Sequence, residues 1–223
     1  MQATTSVVAC LDLEGVLVPE IWINIAEHSG IDELRATTRD IPDYDALMRQ
    51  RLAILRRHDL CMPQIEAIIT AIQPLPGAVE FLQWLRSRHQ VIILSDTFYE
   101  FAAPLLRRLE WPTLFCNQLD VDERGHIVGY RLRQRDPKRR AVEALRALNF
   151  RVIAVGDSYN DLTMLAQADV GVLFCPPQNI GVEYRQFQVA RTYEELRKAF
   201  LQGLAETTGM PQARSRGGNV PGT

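Results

Sequence analysis

An apolar run, Val7-Val8-Ala9-Cys10-Leu11, breaks off at Asp12-Leu13-Glu14-Gly15, which sets two carboxylates at alternate positions beside a glycine. A strand this uniformly apolar has no face suited to water, so it belongs inside a parallel sheet covered on both sides. The acids then fall at its carboxyl end, the edge at which open α/β sheets bind ligands. Carboxylates this close repel each other unless a cation or a phosphoryl chemistry uses them. For the segment taken alone, a solvated acidic turn is the alternative.

The rest of the chain alternates in the same manner from residue 75 onward. Apolar strands are expected at Val91–Leu94, Thr113–Cys116, Arg151–Val155 and Val170–Phe174. Amphipathic helices are expected at Gly77–Arg88, Tyr99–Leu109, Asp161–Ala166 and Tyr193–Leu204. Gln118–Val121 and Ile127–Leu132 flank Glu123-Arg124-Gly125-His126, a hairpin signature. Asp136-Pro137 opens a helix to Leu148, with Asp as the N-cap and Pro in the first turn. Such alternation predicts an α/β, doubly wound and mostly parallel sheet. Residues 19–75 differ, with helical patterns at Ile21–His28, Tyr44–Arg57 and Pro63–Ile72 and no convincing strand. They form a helical insertion after the first strand, returning at Pro74-Leu75-Pro76-Gly77. The expected organisation is core 1–18, helical cap 19–75, core 76–205 and a disordered polar tail 206–223.

Composition narrows the function. With 47% hydrophobic and 23% charged residues the chain is ordinary for a globular protein, and a net charge of −2 argues against a nucleic-acid binder. The basic stretch Arg131–Arg140 lacks aromatics and suits a solvated face or an anion site. Cys10, Cys61, Cys116 and Cys175 lie far apart and make no zinc spacing with the scattered histidines. No apolar run approaches the roughly 18 residues that span a bilayer. With no secretory leader pattern either, a cytoplasmic enzyme without a membrane partner is expected. Oligomeric state is not encoded in any of these features.

Three further sites carry chemistry. Ser95-Asp96-Thr97 follows a buried strand, where a hydroxyl and turn N–H groups suit a phosphate oxygen, although Ser95 alone also suits a helix N-cap. Lys138 falls in the first turn of a helix, where the macrodipole disfavours a cation, so a bound anion competes with a plain solvated lysine. Gly156-Asp157-Ser158-Tyr159-Asn160-Asp161 spaces two aspartates around a tight turn, an arrangement fit for a hard cation, while Asp161 by itself could be a cap.

Taken in order, Asp12-x-Glu14-Gly15-Val16, Ser95, Lys138 and Gly156-Asp157-x-x-x-Asp161 resemble the four motifs of the haloacid-dehalogenase superfamily over about residues 7–205. The insertion after the first motif resembles the small cap of the phosphoserine phosphatase branch. In that branch a cap glutamate and arginine grip the amino and carboxylate groups of phosphoserine, and Glu20 and Arg51 match those positions. Two departures stand out: Glu14 where aspartate is usual, and Ser95-Asp96-Thr97 where serine and two glycines are common. These resemble a bifunctional bacterial group, associated with threonine biosynthesis, that also passes the phosphoryl group of phosphoserine to homoserine.

The resemblance implies a mechanism. Asp12 is the nucleophile and Glu14 the general acid and base. Ser95, Asp96, Lys138 and Asn160 surround the phosphate. Mg²⁺ is held by Asp12, the backbone carbonyl of Glu14 and Asp157, with Asp161 ligating or orienting. Serine and homoserine differ by one methylene, which a site distinguishes by only about 1–3 kcal/mol. A phosphatase for another small phosphorylated metabolite, a dehalogenase and a non-catalytic phospho-ligand module are the competing readings. The dehalogenase would need neither Glu14 as an acid nor Asp157 as a ligand, and the binding module would not need the nucleophile and lysine.

Overall fold

The strands are β1 (Val7–Leu11), β2 (Gln90–Phe98), β3 (Thr113–Val121), β4 (Ile127–Arg131), β5 (Arg151–Gly156), β6 (Val170–Phe174) and β7 (Gln188–Ala190). The helices are α1 (Ile21–Ser29), α2 (Tyr44–Arg57), α3 (Met62–Ala71), α4 (Ala78–Arg86), α5 (Tyr99–Arg108), α6 (Pro137–Ala147), α7 (Leu162–Gln167), α8 (Gln178–Glu183) and α9 (Tyr193–Ala205). The computed structural model describes residues 6–38, 40–41 and 43–205, so the tail expected at 206–223 lies outside the described residues.

All seven strands join one sheet in the order β4-β3-β2-β1-β5-β6-β7, parallel except for the β3–β4 hairpin. β1 is central, with Leu11 opposite Ile93 of β2 on one side and Val155 of β5 on the other. The chain builds outward from β1 through β2 and β3, then returns to β5 on the opposite flank. The reversal opens a crevice beyond the carboxyl end of β1, where doubly wound sheets bind ligands. Alternate β1 residues feed two cores: Ala9 and Leu11 join a cluster reaching α1, α3, α4, α5 and α9, while Val8 and Cys10 join one reaching α6 and α7. A strand buried on both faces is apolar at every position, as β1 is.

The insertion's three α-helices occupy the connection from β1 to α4. Their buried faces, among them Ile21, Ile25, Ile65 and Ile69, belong to the same cluster as Leu11 and Phe101. α2 spans the expected Tyr44–Arg57, with the Asp43 side chain accepting from the Asp45 N–H at 3.0 Å as a cap.

Three local expectations need correction. β2 does not stop at Leu94; it continues through Ser95-Asp96-Thr97 to Phe98, with a register shift against β3 between Leu94 and Phe98. Asp136 stands at the N-cap of α6 but in left-handed backbone (φ 50°) with no capping hydrogen bond from its side chain. α7 starts at Leu162, after a single 3₁₀ turn at Tyr159–Asp161. The short α8 and β7 had no counterpart in the sequence pattern.

Candidate active site

The sheet topology brings the separated motifs together. Asp12 leaves β1 with its N–H still bonded to the Val155 carbonyl of β5 (2.9 Å), so the turn after β5 lies beside it. Gly15 lets the two turns meet. It has φ 75°, and a Cβ there would fall 2.4 Å from the Asp157 carboxylate. Gly156 has a parallel role, since its Cβ would lie 2.3 Å from the Asp161 side chain.

Lys138 is the hub. It is 3% exposed, and its Nζ lies 3.0 Å from Asp12 Oδ2, 2.8 Å from Asp161 Oδ1 and 3.3 Å from Asp96 Oδ2. These carboxylates are the reason a cation occupies the first turn of α6 against the macrodipole. Burial works against the ammonium, but Asp12, Asp161 and Asp96 outweigh it and hold Lys138 well above the usual lysine range.

Asp161 is fully buried, and both its oxygens are engaged: Oδ1 with Lys138, Oδ2 accepting from the N–H groups of Asp157 (3.0 Å) and Ser158 (3.2 Å). It fixes the turn that presents Asp157. Asp12 Oδ1 accepts from the Leu13 N–H at 2.7 Å. Burial, then the charge of Asp161, pushes Asp12 upward against the pull of Lys138. Asp157 is raised to about 6 by burial and by Asp161 and Glu20. Asp12, Asp96 and Asp161 thus crowd one ammonium, with Asp157 close to Asp161. Asp12, Asp157 and Asp161 can each bring an oxygen within 4.8 Å of the others. An all-oxygen set with surplus negative charge fits a hard divalent cation such as Mg²⁺.

Ser95 is 3% exposed, and its Oγ accepts from the Thr97 N–H at 3.2 Å, leaving the hydroxyl proton to donate into the cleft. Asp96 lines the cleft beside Ser95. Its carboxylate is an acceptor, used by Lys138 and by Asn160 Nδ2 (2.8 Å), so it positions these two donors. One N–H of the Asn160 amide goes to Asp96, and the second is left to donate.

Glu14 lies above Asp12. Its Oε2 accepts from the Ile21 N–H (2.8 Å) at the start of α1, and its carboxyl is raised to about 8 by burial and by Glu20. A carboxyl held this far above the usual range is suited to donating a proton near neutral pH. Glu20 and Arg51 line the same cleft of about 720 Å³ as Asp12, Ser95 and Lys138. Arg51 is 7% exposed. Nη2 donates to the Ala36 carbonyl (2.9 Å), Nη1 approaches Met48 Sδ (3.8 Å), and Nε has no partner. Among the described residues no carboxylate pairs with it, and burial pulls its pKa down to about 10.

Sequence reasoning missed three contributors. Trp22 places its ring under Arg51 with the guanidinium carbon 4.4 Å from the centroid. Tyr44 lines the cleft and donates to the Asp96 carbonyl (3.4 Å); lying seven residues before Arg51, two turns along one helix face, it could have been found from spacing. Asn117 is 2% exposed and bridges the Asp96 carbonyl (3.0 Å) and the Arg133 N–H (3.0 Å). No local pattern marks it.

Known proteins resemble this chain in sequence and in fold. A family model described as haloacid dehalogenase-like hydrolase matches residues 8–169. The chain is 58% identical over 200 residues to phosphoserine phosphatase ThrH of Pseudomonas aeruginosa, covering 90% of this chain and 98% of that protein. It is 59% identical over 195 residues to phosphoserine phosphatase of Pseudomonas syringae pv. tomato, covering 87% and 82%. A solved structure of a substrate-bound phosphoserine phosphatase complex superposes with a TM-score of 0.73 at 21% identity, over 88% of this chain and 99% of the other, a likeness of fold.

Proposed function

The chain belongs to the haloacid dehalogenase-like hydrolases, and from that premise we propose that it is an Mg²⁺-dependent phosphoserine phosphatase that also transfers the phosphoryl group to homoserine. One observation carries the substrate: Arg51 is a buried guanidinium that lines the cleft and lacks any carboxylate partner among the described residues. A buried cation left in this state calls for an anion from the ligand. Phosphoserine supplies two anionic ends, a phosphate for Lys138 and Ser95 and a carboxylate for Arg51, with an ammonium for Glu20. Its name in the relatives from both Pseudomonas species supports the same substrate.

Asp12, oriented by Lys138 and the Leu13 N–H, attacks phosphorus and forms an aspartyl phosphate. Glu14 gives its proton to the departing serine oxygen, then takes one from the acceptor that attacks the acyl phosphate. Lys138 and Ser95 hold the phosphoryl oxygens. Asp12, the Glu14 carbonyl and Asp157 would hold Mg²⁺, and Asp161 positions Asp157 and Lys138 around them. When bound, the ion neutralises charge on the transferring group. The inserted helices act as a cap, with Glu20 and Arg51 holding the amino acid.

Homoserine presents the same ammonium and carboxylate as serine, so the same clamp orients its hydroxyl toward the phosphorylated Asp12. Its attack gains the advantage of a bound nucleophile over water. The test supplies ³²P-labelled phosphoserine with saturating homoserine and separates the products. Labelled O-phosphohomoserine alongside labelled inorganic phosphate is expected. Inorganic phosphate alone would leave a plain phosphatase, and no turnover of phosphoserine with Mg²⁺ would reject the substrate.

A further inference from the structure

Residues 20, 21 and 22 each act on the cleft from the first turn of α1. Glu20 lines it, the Ile21 N–H holds Glu14 at 2.8 Å, and Trp22 lies under Arg51. Arg51 itself comes from a different helix, α2, and its own contacts hold it loosely. One N–H group donates to the Ala36 carbonyl, one approaches a thioether at 3.8 Å, and Nε has no partner. The indole face of Trp22 lies against the guanidinium, with the guanidinium carbon 4.4 Å from the ring centroid. Trp22 is 8% exposed, and its ring meets Phe101 edge-on with centroids 5.3 Å apart, so the platform is anchored in the core. A desolvated arginine over tryptophan is among the strongest cation–π geometries. A guanidinium held by its face keeps its edge N–H groups for a carboxylate, and each Nη has a second proton beyond its bond to Ala36 or Met48.

We propose that Trp22 is a positioning residue for amino-acid recognition, setting the plane of Arg51 so that its N–H fork meets the carboxylate of the substrate. This rests on the phosphoserine reading above. The ring contacts of Trp22 are to Arg51 and Phe101, not to the carboxylates around Lys138, so its loss is expected to act on substrate affinity rather than on phosphoryl transfer.

The test compares Trp22→Met, which keeps bulk without a π face, with Trp22→Phe, which keeps a ring. Phosphoserine and p-nitrophenyl phosphate, which has no carboxylate, are the substrates for the full-length enzyme with Mg²⁺. Trp22→Met should raise KM for phosphoserine about 5- to 30-fold with kcat nearly unchanged, as the loss of a desolvated cation–π contact implies. Trp22→Phe should recover most of that loss, and p-nitrophenyl phosphate kinetics should stay at the wild-type level in both. In an Arg51→Gln background, Trp22→Met should add little. A further KM rise there, or equal losses on both substrates, would make Trp22 structural and overturn the proposal. An unchanged phosphoserine KM in Trp22→Met, with Arg51→Gln impaired, would reject the role of Trp22 alone. An unchanged KM in Arg51→Gln would instead reject the reading of Arg51 and this inference with it. Should Trp22→Met fail to fold, Trp22→Phe and Trp22→Tyr carry the test, and a phosphoserine KM as impaired as in Arg51→Gln despite a retained ring would contradict it.

Discussion

The floor of the cleft and its roof treat charge in opposite ways. On the floor, at the strand ends, Lys138 is packed among Asp12, Asp96 and Asp161, and Asp161 uses both oxygens. On the roof, contributed by α1 and α2, Arg51 is also buried yet rests on a ring, a carbonyl and a sulfur. A floor whose charges already restrain one another is preorganised, so its geometry does not wait for a ligand. On the proposed reading, a roof with an unmatched cation is completed by the substrate. The proposed function turns this contrast into a separation of reactivity from recognition: groups assigned the chemistry are fixed by each other, and groups assigned selection are left one partner short.

The largest expected effect lies on the floor. Asp12→Asn keeps size and removes the nucleophile, so turnover of phosphoserine and of p-nitrophenyl phosphate should fall together, by roughly 10³-fold or more. A loss confined to phosphoserine would break the division of labour. Lys138→Met tests whether the floor supports itself. Removing one partner of a buried charge cluster costs about 3–5 kcal/mol. The variant should therefore show a clearly lower denaturation midpoint in EDTA, where Arg51→Ala should show a smaller change. Equal destabilisation would mean that the roof cation is as firmly paired as the floor cation.

Gly15→Ala sharpens the account at the junction of the turns. The new methyl would meet the Asp157 carboxylate at a positive φ, a local strain of about 1–3 kcal/mol. The Mg²⁺ concentration for half-maximal activity should rise, whichever phosphate ester is used. An unchanged titration would remove Asp157 from the metal site.

The smallest effect concerns a contact that joins the two regions away from the cleft. His126 on the β3–β4 hairpin meets Asp59, which follows α2 (2.9 Å), and Asp122 (3.6 Å). The hydrogen bond to Asp59, with the charge of Asp122, raises its pKa above the ordinary 6.5. A raised histidine stabilises the fold fully below its unfolded value, and the gain is lost as pH rises through the folded one. The thermal stability advantage of wild type over His126→Gln should therefore be present at mildly acidic pH and vanish at alkaline pH. An advantage that grows with pH would reverse the sign and exclude this pairing.

The floor was largely legible in the sequence because Asp12 and Asp157 follow strongly apolar strands and Lys138 stands out in the first turn of a helix. Burial on both faces makes β1 and β5 conspicuous, and the acids that follow them stand out by contrast. The α2 helix was equally plain, since fourteen residues carry its periodicity. The missed elements are short: β7 has three residues and α8 six, too few for a period to show. The extension of β2 was hidden because Ser95-Asp96-Thr97 looks like a turn, and only pairing with β3 across a register shift draws it into the sheet. On the roof, Glu20 and Arg51 could be nominated by resemblance, but Trp22 could not. A tryptophan on an amphipathic helix resembles any core residue until the fold brings Arg51 over its face.

The most direct test of the division between floor and roof is the ratio of kcat/KM for phosphoserine to that for p-nitrophenyl phosphate in Arg51→Ala. A charge-assisted bond to the substrate carboxylate is worth about 1.5–3 kcal/mol. The ratio should therefore fall about 10- to 150-fold, with the p-nitrophenyl phosphate value close to wild type. Equal losses on both substrates, leaving the ratio unchanged, would contradict the account.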